Sequence, residues 1–242
     1  AADSLRLVTL VMKDMNLDPK RYNSRAIAGL ISDAKNELIG PADFAQTVKN
    51  QFDEIVAEVF THYQKRLSSA NALDFDDLIS RTVELLQRHP EIRAKYRSRF
   101  KHILVDEYQD TNHAQYILIR ELVGTSFDGF PMAELCVVGD SDQSIYAFRG
   151  ANIRNILQFE DDFPDATTVL LEQNYRSTQN ILSAANAVIA NNEGRKAKNL
   201  WSESGSGDVI KGYVAEDEHD EADYVINEIK RLRDSNISNP GD

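Results

Sequence analysis

The sequence contains a single cysteine and no long apolar segment, and both absences narrow the class of protein. Cys136 is the only cysteine among 242 residues, so an intramolecular disulfide is excluded and a reducing compartment, the cytoplasm, is expected. Because Cys136 lies inside the apolar run 135–138, we interpret it as a core residue. No run reaches the roughly 18 apolar residues that a membrane helix needs, so no membrane partner is expected.

Metal ligands and targeting signals are also scarce. The five histidines are scattered along the chain without a neighbouring cysteine, so no zinc site is predicted. The N-terminus has neither the basic start nor the apolar stretch of a secretory signal, and it has no initiator methionine. We therefore expect a fragment of a longer protein.

Basic residues are outnumbered, and unevenly so. The net charge is -12; residues 1–100 contain 15 basic and 14 acidic residues, whereas residues 101–242 contain 12 and 25. Contact with a phosphate backbone requires Lys and Arg along the path of the strand. Net charge alone therefore argues against DNA binding. A nucleic-acid partner would have to bind along a local surface of basic residues.

The first hundred residues are predicted to be helical. Between residues 43 and 67, apolar side chains recur three or four positions apart, which is the period of an amphipathic helix. A second stripe of this kind runs from Phe75 through Leu78 and Val83 to Leu86. We interpret both stripes as helix-packing surfaces. The first stripe consists of Phe44, Val48, Phe52, Ile55, Val59, Tyr63 and Leu67.

Beyond Pro90 the pattern changes to that of an α/β domain with a buried parallel sheet. Short apolar runs at 103–105, 135–138 and 169–171 predict three strands, each ending in acidic or small polar residues. Because ligands gather at the carboxyl ends of strands in open α/β sheets, we expect the three ends to converge on one site. A further strand is predicted at 209–214, and helices are predicted at 114–123, 153–159, 178–190 and 222–232.

Two carboxylates follow the first predicted strand. Asp106, at the strand end, is suited to the hydration shell of Mg²⁺, and the adjacent Glu107 is suited to orienting a water molecule. Acidic pairs are also common on protein surfaces, so this pair alone is a weak indication.

The segment after the second predicted strand combines two kinds of chemistry. Gln143 supplies an amide that both donates and accepts hydrogen bonds, which suits the sensing of a terminal phosphate or its attacking water. Tyr146, Phe148 and Arg149 combine aromatic rings with a guanidinium, as channels for single-stranded DNA do. The alternative is that the two rings anchor the loop in the core.

A third segment places an arginine between a predicted strand and a helix. Arg176, preceded by Tyr175, is suited to stabilising charge on a γ-phosphate from a neighbouring lobe. Ser177 or Thr178 can at the same time cap the helix that follows.

In this order and spacing, the three segments VDEYQD (105–110), GDSDQSIYAFRGA (139–151) and LEQNYRST (171–178) resemble motifs of UvrD/PcrA/Rep-type superfamily 1 DNA helicases. NLDPKRYN (16–23), ALDFDDLI (72–79) and KNLWSESGSG (198–207) extend the likeness to nearly the whole chain. The resemblance implies an α/β fold: a RecA-like P-loop NTPase core, with a parallel sheet and flanking helices, and an all-helical inserted subdomain. It implies that 1–100 form the helical insertion leading back to the core, 101–172 the C-terminal part of the first lobe, and 173–242 a linker and the start of the second lobe.

The resemblance also implies ATP and Mg²⁺ as cofactors and assigns roles around them. Asp106 would help to hold Mg²⁺, Glu107 would activate the hydrolytic water, and Gln143 would couple the γ-phosphate to the DNA track. From the second lobe, Tyr175 would stack on adenine and Arg176 would contact the γ-phosphate.

By the same resemblance, Tyr146, Phe148 and Arg149 would contact single-stranded DNA, with the ring of Phe148 stacking on a base. The position of Phe148 often holds Trp in relatives, and Phe should preserve stacking on a smaller surface. The implied activity is ATP-driven movement on single-stranded DNA, 3′ to 5′, with unwinding at single-strand/duplex junctions. Repair or replication proteins are the implied partners.

The Gly-x-x-x-x-Gly-Lys-Ser/Thr loop that a P-loop NTPase needs does not occur in the sequence. We expect that loop upstream of residue 1, and we expect the isolated chain to have little or no ATPase or unwinding activity. Two alternatives stay open: a helicase–nuclease subunit of the RecB or AddA kind, and a non-catalytic DNA-binding or protein-interaction module.

Overall fold

A computed structural model of the chain describes residues 2–124, 132–192, 198–235 and 237. The chain divides into two compact units, Ala1–Thr168 and Val169–Asp242. Within the described ranges, no helix combines the length and apolar character that crossing a bilayer requires.

Helices dominate both units. The helices of the first unit are α1 (Ala2–Asp14), α2 (Ser24–Asn36), α3 (Pro41–Phe44), α4 (Gln51–Ser69), α5 (Phe75–Arg88), α6 (Pro90–Arg99), α7 (His113–Val123), α8 (Arg154–Leu157) and α9 (Phe159–Asp162). Its strands are β1 (His102–Val105) and β2 (Glu134–Val137). The second unit contains α10 (Gln179–Ile189) and α11 (Glu218–Asp234).

The core of the helical region lies between α1, α2 and α4. Its side chains come from the apolar faces of these helices, and Ile27, Val56, Val59, Phe60 and Tyr63 are almost completely buried. Burying a side chain of this size contributes about 1.5–3 kcal/mol. Because α1 to α6 account for most of residues 2–99, the predicted helical character of the first hundred residues is confirmed.

The predicted stripe at 43–67 is not one helix: Phe44 lies in α3, Val48 in the connection, and the stripe from Phe52 onward in α4. Asn50 defines the start of α4, because its side-chain oxygen accepts hydrogen bonds from the N–H groups of Phe52 and Asp53 and so caps the helix. In α5 the second stripe is only half correct. Val83 and Leu86 are buried, whereas the first-turn residues of the stripe are exposed.

A buried ionic cluster joins α2 to the first turn of α5. The Nζ of Lys35 lies 2.6 Å from Asp74 Oδ2 and 3.0 Å from Asp77 Oδ1. The Tyr63 hydroxyl donates to Asp74 at 2.7 Å, and Gln64 Nε2 donates to both oxygens of Asp77. Burial opposes the charge on Asp74, but hydrogen bonds from Lys35 and Tyr63 outweigh it and hold the pKa of Asp74 below its usual range.

The strands β1 and β2 form a parallel pair, with α7 in the connection between them. Ile103 lies opposite Leu135 and Val105 opposite Val137. Side chains alternate along a strand, and in both strands one face is half-buried and the other exposed. The chain is therefore a mixed helix and strand structure with a small parallel sheet.

Three predictions about the strands need correction. Cys136 is exposed rather than in the core, because it points to the open face of β2. The runs 169–171 and 209–214, within the described part of the second unit, are exposed and do not form strands. A strand exists only where its backbone groups pair with a neighbour, and among residues 169–192, 198–235 and 237 such pairing is limited to one bridge between Gln173 and Trp201.

The predicted helices after β1 are present with adjusted ends. The segment predicted at 114–123 is α7, those at 178–190 and 222–232 are α10 and α11, and the one at 153–159 is divided between α8 and α9. Thr178 stands at the cap position of α10 without a side-chain cap hydrogen bond, so capping by its hydroxyl is not observed.

Candidate functional site

The candidate site is formed by the two turns that follow β1 and β2. Backbone pairing continues beyond both strands, since the N–H of Val138 donates to Val105 O at 2.8 Å and that of Tyr108 donates to Val138 O at 3.0 Å. Because the strands are parallel neighbours, their carboxyl ends lie side by side. Two of the three predicted strand ends therefore meet as expected.

The carboxylates of the first turn are exposed and held by local hydrogen bonds. Asp106 Oδ1 accepts from the N–H of Glu107 at 2.9 Å. Glu107 has left-handed backbone angles, φ 49° and ψ 43°, which are uncommon for residues other than glycine and are frequent at functional sites. The turn in this conformation allows two adjacent carboxylates to project at the strand end.

Tyr108, the residue after Glu107, anchors the first turn in the interior of the unit. Tyr108 is fully buried and packs edge-on against Phe159, with 5.6 Å between ring centroids. Burial raises the pKa of the Tyr108 hydroxyl above its usual value. The Thr111 hydroxyl donates to Tyr108 O at 2.7 Å, and Asn155 Nδ2 donates to Thr111 O at 3.0 Å. These contacts connect the turn to α8 and α9.

The second turn carries Gln143, and it is organised by Asp140. One carboxylate oxygen of Asp140 accepts from the N–H of Asp142 at 2.9 Å, and the other accepts from Gln143 Nε2 at 2.7 Å. This hydrogen bond holds the amide of Gln143 within the turn at the end of β2.

One buried amide, which the sequence reasoning missed, connects the two turns. Gln109 Nε2 donates to Glu107 Oε2 at 2.8 Å, while its Oε1 accepts from the N–H of Asp140 at 3.0 Å. Gln109 is 1% exposed. A polar residue two positions after a candidate catalytic carboxylate, inside VDEYQD, is the sequence signal that could have identified it.

The predicted DNA-contacting residues lie in the loop after the second turn. Phe148 is 82% exposed and its ring centroid lies 6.0 Å from that of Tyr146. The alternative that Phe148 anchors this loop in the core is therefore not what the structure shows. The side chain of Arg149 lies outside the described part of the structure.

The predicted nucleotide contacts of the second unit lie on one exposed turn. Tyr175 is 82% exposed, and its hydroxyl donates to Gln173 Oε1 at 2.8 Å. Asn174 Oδ1 accepts from the N–H groups of Arg176 and Ser177, which fixes the turn before α10.

The donor set of the first unit is compatible with Mg²⁺, though not as an all-protein cage. Among the described residues, no group of three or more His, Cys, Asp or Glu side chains could hold a metal ion. Mg²⁺ beside a nucleotide characteristically takes one or two carboxylates and fills its other positions with phosphate and water. Asp106, an exposed carboxylate at a strand end, fits that requirement.

Comparison with known proteins identifies the class to which this fold and site belong. Residues 2–164 match the UvrD/REP helicase N-terminal domain, and residues 169–240 match the UvrD-like helicase C-terminal domain. The chain therefore belongs to the UvrD/REP helicase family. The resemblance found in its motifs is confirmed.

Individual relatives place the chain more closely. It is 61% identical over 236 residues to the ATP-dependent DNA helicase UvrD1 of Mycobacterium tuberculosis, and the alignment covers 96% of this chain and 31% of that protein. It is 49% identical over 231 residues to the ATP-dependent DNA helicase PcrA of Bacillus subtilis, with 96% and 30% covered. The chain thus spans about 31% of the length of the first of these relatives.

Proposed function

We propose that this chain is part of an ATP-dependent DNA helicase that couples ATP hydrolysis to movement on single-stranded DNA and to duplex unwinding. The observation that carries the proposal is the junction of the two strand ends, where hydrogen bonds through the buried amide of Gln109 and through Asp140 join Glu107 to Gln143. Relatives at 61% and 49% identity are named ATP-dependent DNA helicases, which supports the same activity here. In this proposal β1 and β2 are strands of a RecA-like core.

The carboxylates would act on the nucleotide side of this site. Asp106 would hold Mg²⁺, which when bound supplies positive charge beside the phosphates. Glu107 would orient and deprotonate the attacking water, and the Gln143 amide would contact the γ-phosphate or that water. Tyr175 would stack on the adenine. Arg176 would place its guanidinium beside the γ-phosphate and stabilise the negative charge there.

The exposed aromatic loop would meet the DNA. A ring as exposed as that of Phe148 is available for base stacking, and the neighbouring Tyr146 offers a second aromatic surface. Arg149 would contact the phosphate backbone. The proposed substrate is single-stranded DNA next to a duplex junction, with 3′ to 5′ movement and a role in DNA repair or replication together with proteins of those processes.

The 242-residue chain alone is expected to hydrolyse little or no ATP. A P-loop supplies backbone N–H groups and a lysine to the β- and γ-phosphates, and no Gly-x-x-x-x-Gly-Lys-Ser/Thr occurs in this chain. A phosphate-release assay with single-stranded DNA present tests this expectation, and turnover comparable to that of the full-length gene product would contradict it.

The decisive test of the proposed function is Glu107→Gln in the full-length gene product. The substitution keeps the size of the side chain but removes the base, so we expect DNA-stimulated turnover to fall by about 10²–10⁴-fold. Affinity for a fluorescent non-hydrolysable ATP analogue should be retained. Glu58→Gln, an exposed position on α4, is the matched control and should leave turnover unchanged.

Two results would refute the proposal. Unchanged hydrolysis in the Glu107→Gln variant would remove Glu107 from the chemistry. Absence of nucleotide binding and turnover in the unsubstituted full-length protein would instead favour a non-catalytic DNA-binding module.

A further inference from the structure

The buried amide of Gln109 makes hydrogen bonds of opposite kind to the two turns of the candidate site. Its Nε2 donates to Glu107 Oε2 at 2.8 Å and, at 3.4 Å, to Asp110 Oδ2. Its Oε1 accepts from the N–H of Asp140 at 3.0 Å. A donor facing carboxylates and an acceptor facing an N–H allow only one orientation of the amide, so the side chain is fixed at both ends.

Local packing leaves space for the amide only because residue 139 is glycine. A Cβ added to Gly139 would lie 2.7 Å from Gln109 Oε1 and 2.9 Å from Ile156 Cδ1, closer than real Cβ atoms approach. The close approach of the β2 turn to Gln109 therefore depends on the missing side chain. The absence of a side chain at Gly139 and the position of the Gln109 amide therefore depend on each other.

The hydrogen bonds continue from Gln109 to the far side of the second turn. Asp140, whose N–H donates to Gln109, accepts from Gln143 Nε2 at 2.7 Å through its own carboxylate. A continuous chain of hydrogen bonds thus runs from Glu107 through Gln109 and Asp140 to Gln143. The residues at its two ends are those to which we assign contact with the attacking water and with the γ-phosphate.

We propose that Gln109 is a positioning residue that fixes the Glu107 carboxylate and couples its position to that of Gln143. This inference rests on the proposed function. Glu107 occupies a left-handed backbone conformation, and Gln109 donates a hydrogen bond to its carboxylate. A shift of the Gln143 turn would move the Asp140 N–H, then the Gln109 amide, and then the carboxylate that orients water.

The first test is Gln109→Met in the full-length gene product. Methionine has a similar volume but makes none of these three hydrogen bonds, so we expect kcat of DNA-stimulated ATP hydrolysis to fall about 10–100-fold through misplacement of the carboxylate. KM for ATP and the affinity for a fluorescent non-hydrolysable ATP analogue should change little. Gly139→Ala, which displaces the amide without removing it, should lower kcat in the same way.

The matched control is Gln64→Met. Gln64 is also a buried glutamine whose amide donates to carboxylate oxygens, but it lies on α4 in the helical region and its partner is Asp77 of α5. Loss of that amide should lower the midpoint of thermal unfolding while leaving kcat unchanged. Equal losses of kcat in Gln64→Met and Gln109→Met at equal loss of stability would reduce Gln109 to a structural role and overturn the proposal.

Gln109→Glu gives a signature that a purely structural role would not produce. When ionised, the introduced carboxyl would repel Glu107 and could not donate to it. When protonated, it has the shape of the amide and can both donate to Glu107 and accept from the Asp140 N–H. We expect the ratio of variant to wild-type kcat to rise as the pH falls from about 8 to about 6, because burial and the neighbouring carboxylate favour the protonated form. A ratio independent of pH would contradict the proposal.

A double-mutant cycle separates failure of this inference from failure of the proposed function. If Gln109 acts through Glu107, then Gln109→Met should have no further effect on kcat in the Glu107→Gln background. A full additional loss in that background would overturn the coupling while leaving the role of Glu107 intact. If Glu107→Gln alone does not change turnover, the proposed function itself fails.

Discussion

The helical region around α1, α2 and α4 and the strand pair β1–β2 belong to the same unit but differ in how their apolar side chains are covered. In the helical region, aromatic and aliphatic side chains such as Phe60 and Ile27 are almost completely buried. In the strand pair, alternate residues of both strands are exposed, and Leu104 is 78% exposed. Parallel strands in other proteins are generally covered on both faces.

This difference suggests different roles: the helical region contributes mainly to stability, and the turns after the strands contribute mainly to the proposed activity. The helical region has a closed core and a buried ionic cluster, so its own packing maintains it. The strand pair places two polar turns beside each other, and those turns carry the proposed catalytic residues. Substitutions in the first region should therefore change stability, and substitutions at the turns should change turnover or DNA binding.

The largest expected effect on stability is that of Phe60→Ala. Phe60 is buried against the ring of Phe44 at 6.1 Å, and removal of a buried Phe side chain costs about 3–5 kcal/mol. Leu104→Ala on the open face of β1 is the control, with an expected effect within about 0.5 kcal/mol. Urea unfolding of the chain followed by circular dichroism measures both. Equal losses would show that the two regions are equally packed.

Tyr63→Phe should have the next largest effect, because it removes only the hydroxyl that donates to Asp74 inside the ionic cluster. A buried hydrogen bond to a charged group contributes about 1.5–3 kcal/mol. The matched control is Tyr213→Phe, since the Tyr213 hydroxyl also donates to a carboxylate, that of Asp220, but on an exposed surface. Thermal unfolding should show a lower midpoint for the first variant and no change for the second.

The sequence predicted the helical region and the two strand ends well, because both depend on local periodicity and on short motifs. The stripe ending in Tyr63 and Leu67 identified buried positions. The predictions of strands at 169–171 and 209–214 were wrong, because an apolar sequence alone does not provide a neighbouring strand with which to pair. The burial of Lys35 could not be predicted, since its partners Asp74 and Asp77 lie about 40 residues away in the sequence. The position of Gln109 inside VDEYQD offered a signal, but its hydrogen bond to the N–H of Asp140 depends on the folded arrangement of the two turns.

Phe148→Ala tests the DNA-facing side of the strand pair. Loss of one stacking platform should weaken the affinity of the full-length protein for single-stranded DNA by about 1–3 kcal/mol. Fluorescence anisotropy with a labelled oligonucleotide measures the change, and thermal stability should stay constant because the ring is exposed. Phe100→Ala, at another exposed phenylalanine, is the control. Unaltered affinity in Phe148→Ala would remove this residue from the DNA track.

The smallest expected effect is a difference in acid sensitivity. The pKa of Asp74 in the folded chain lies below its ordinary value of 3.8, despite burial, because Lys35 and Tyr63 bind the ionised form. Its contribution to stability is therefore complete above that ordinary value and is lost as the pH falls through the lower folded value. Asp74→Asn, which keeps a helix-capping side chain, should flatten the loss of stability below about pH 4. Asp33→Asn on the exposed face of α2 is the matched control for the removal of one carboxylate.

We propose that the two strand ends lie beside the reacting phosphate. A structure of the full-length gene product with Mg²⁺, a non-hydrolysable ATP analogue and single-stranded DNA tests it directly. We expect the Glu107 carboxylate and the Gln143 amide within hydrogen-bond distance of the γ-phosphate or its attacking water, with Asp106 at the metal. Finding Glu107 and Gln143 away from the nucleotide would contradict it.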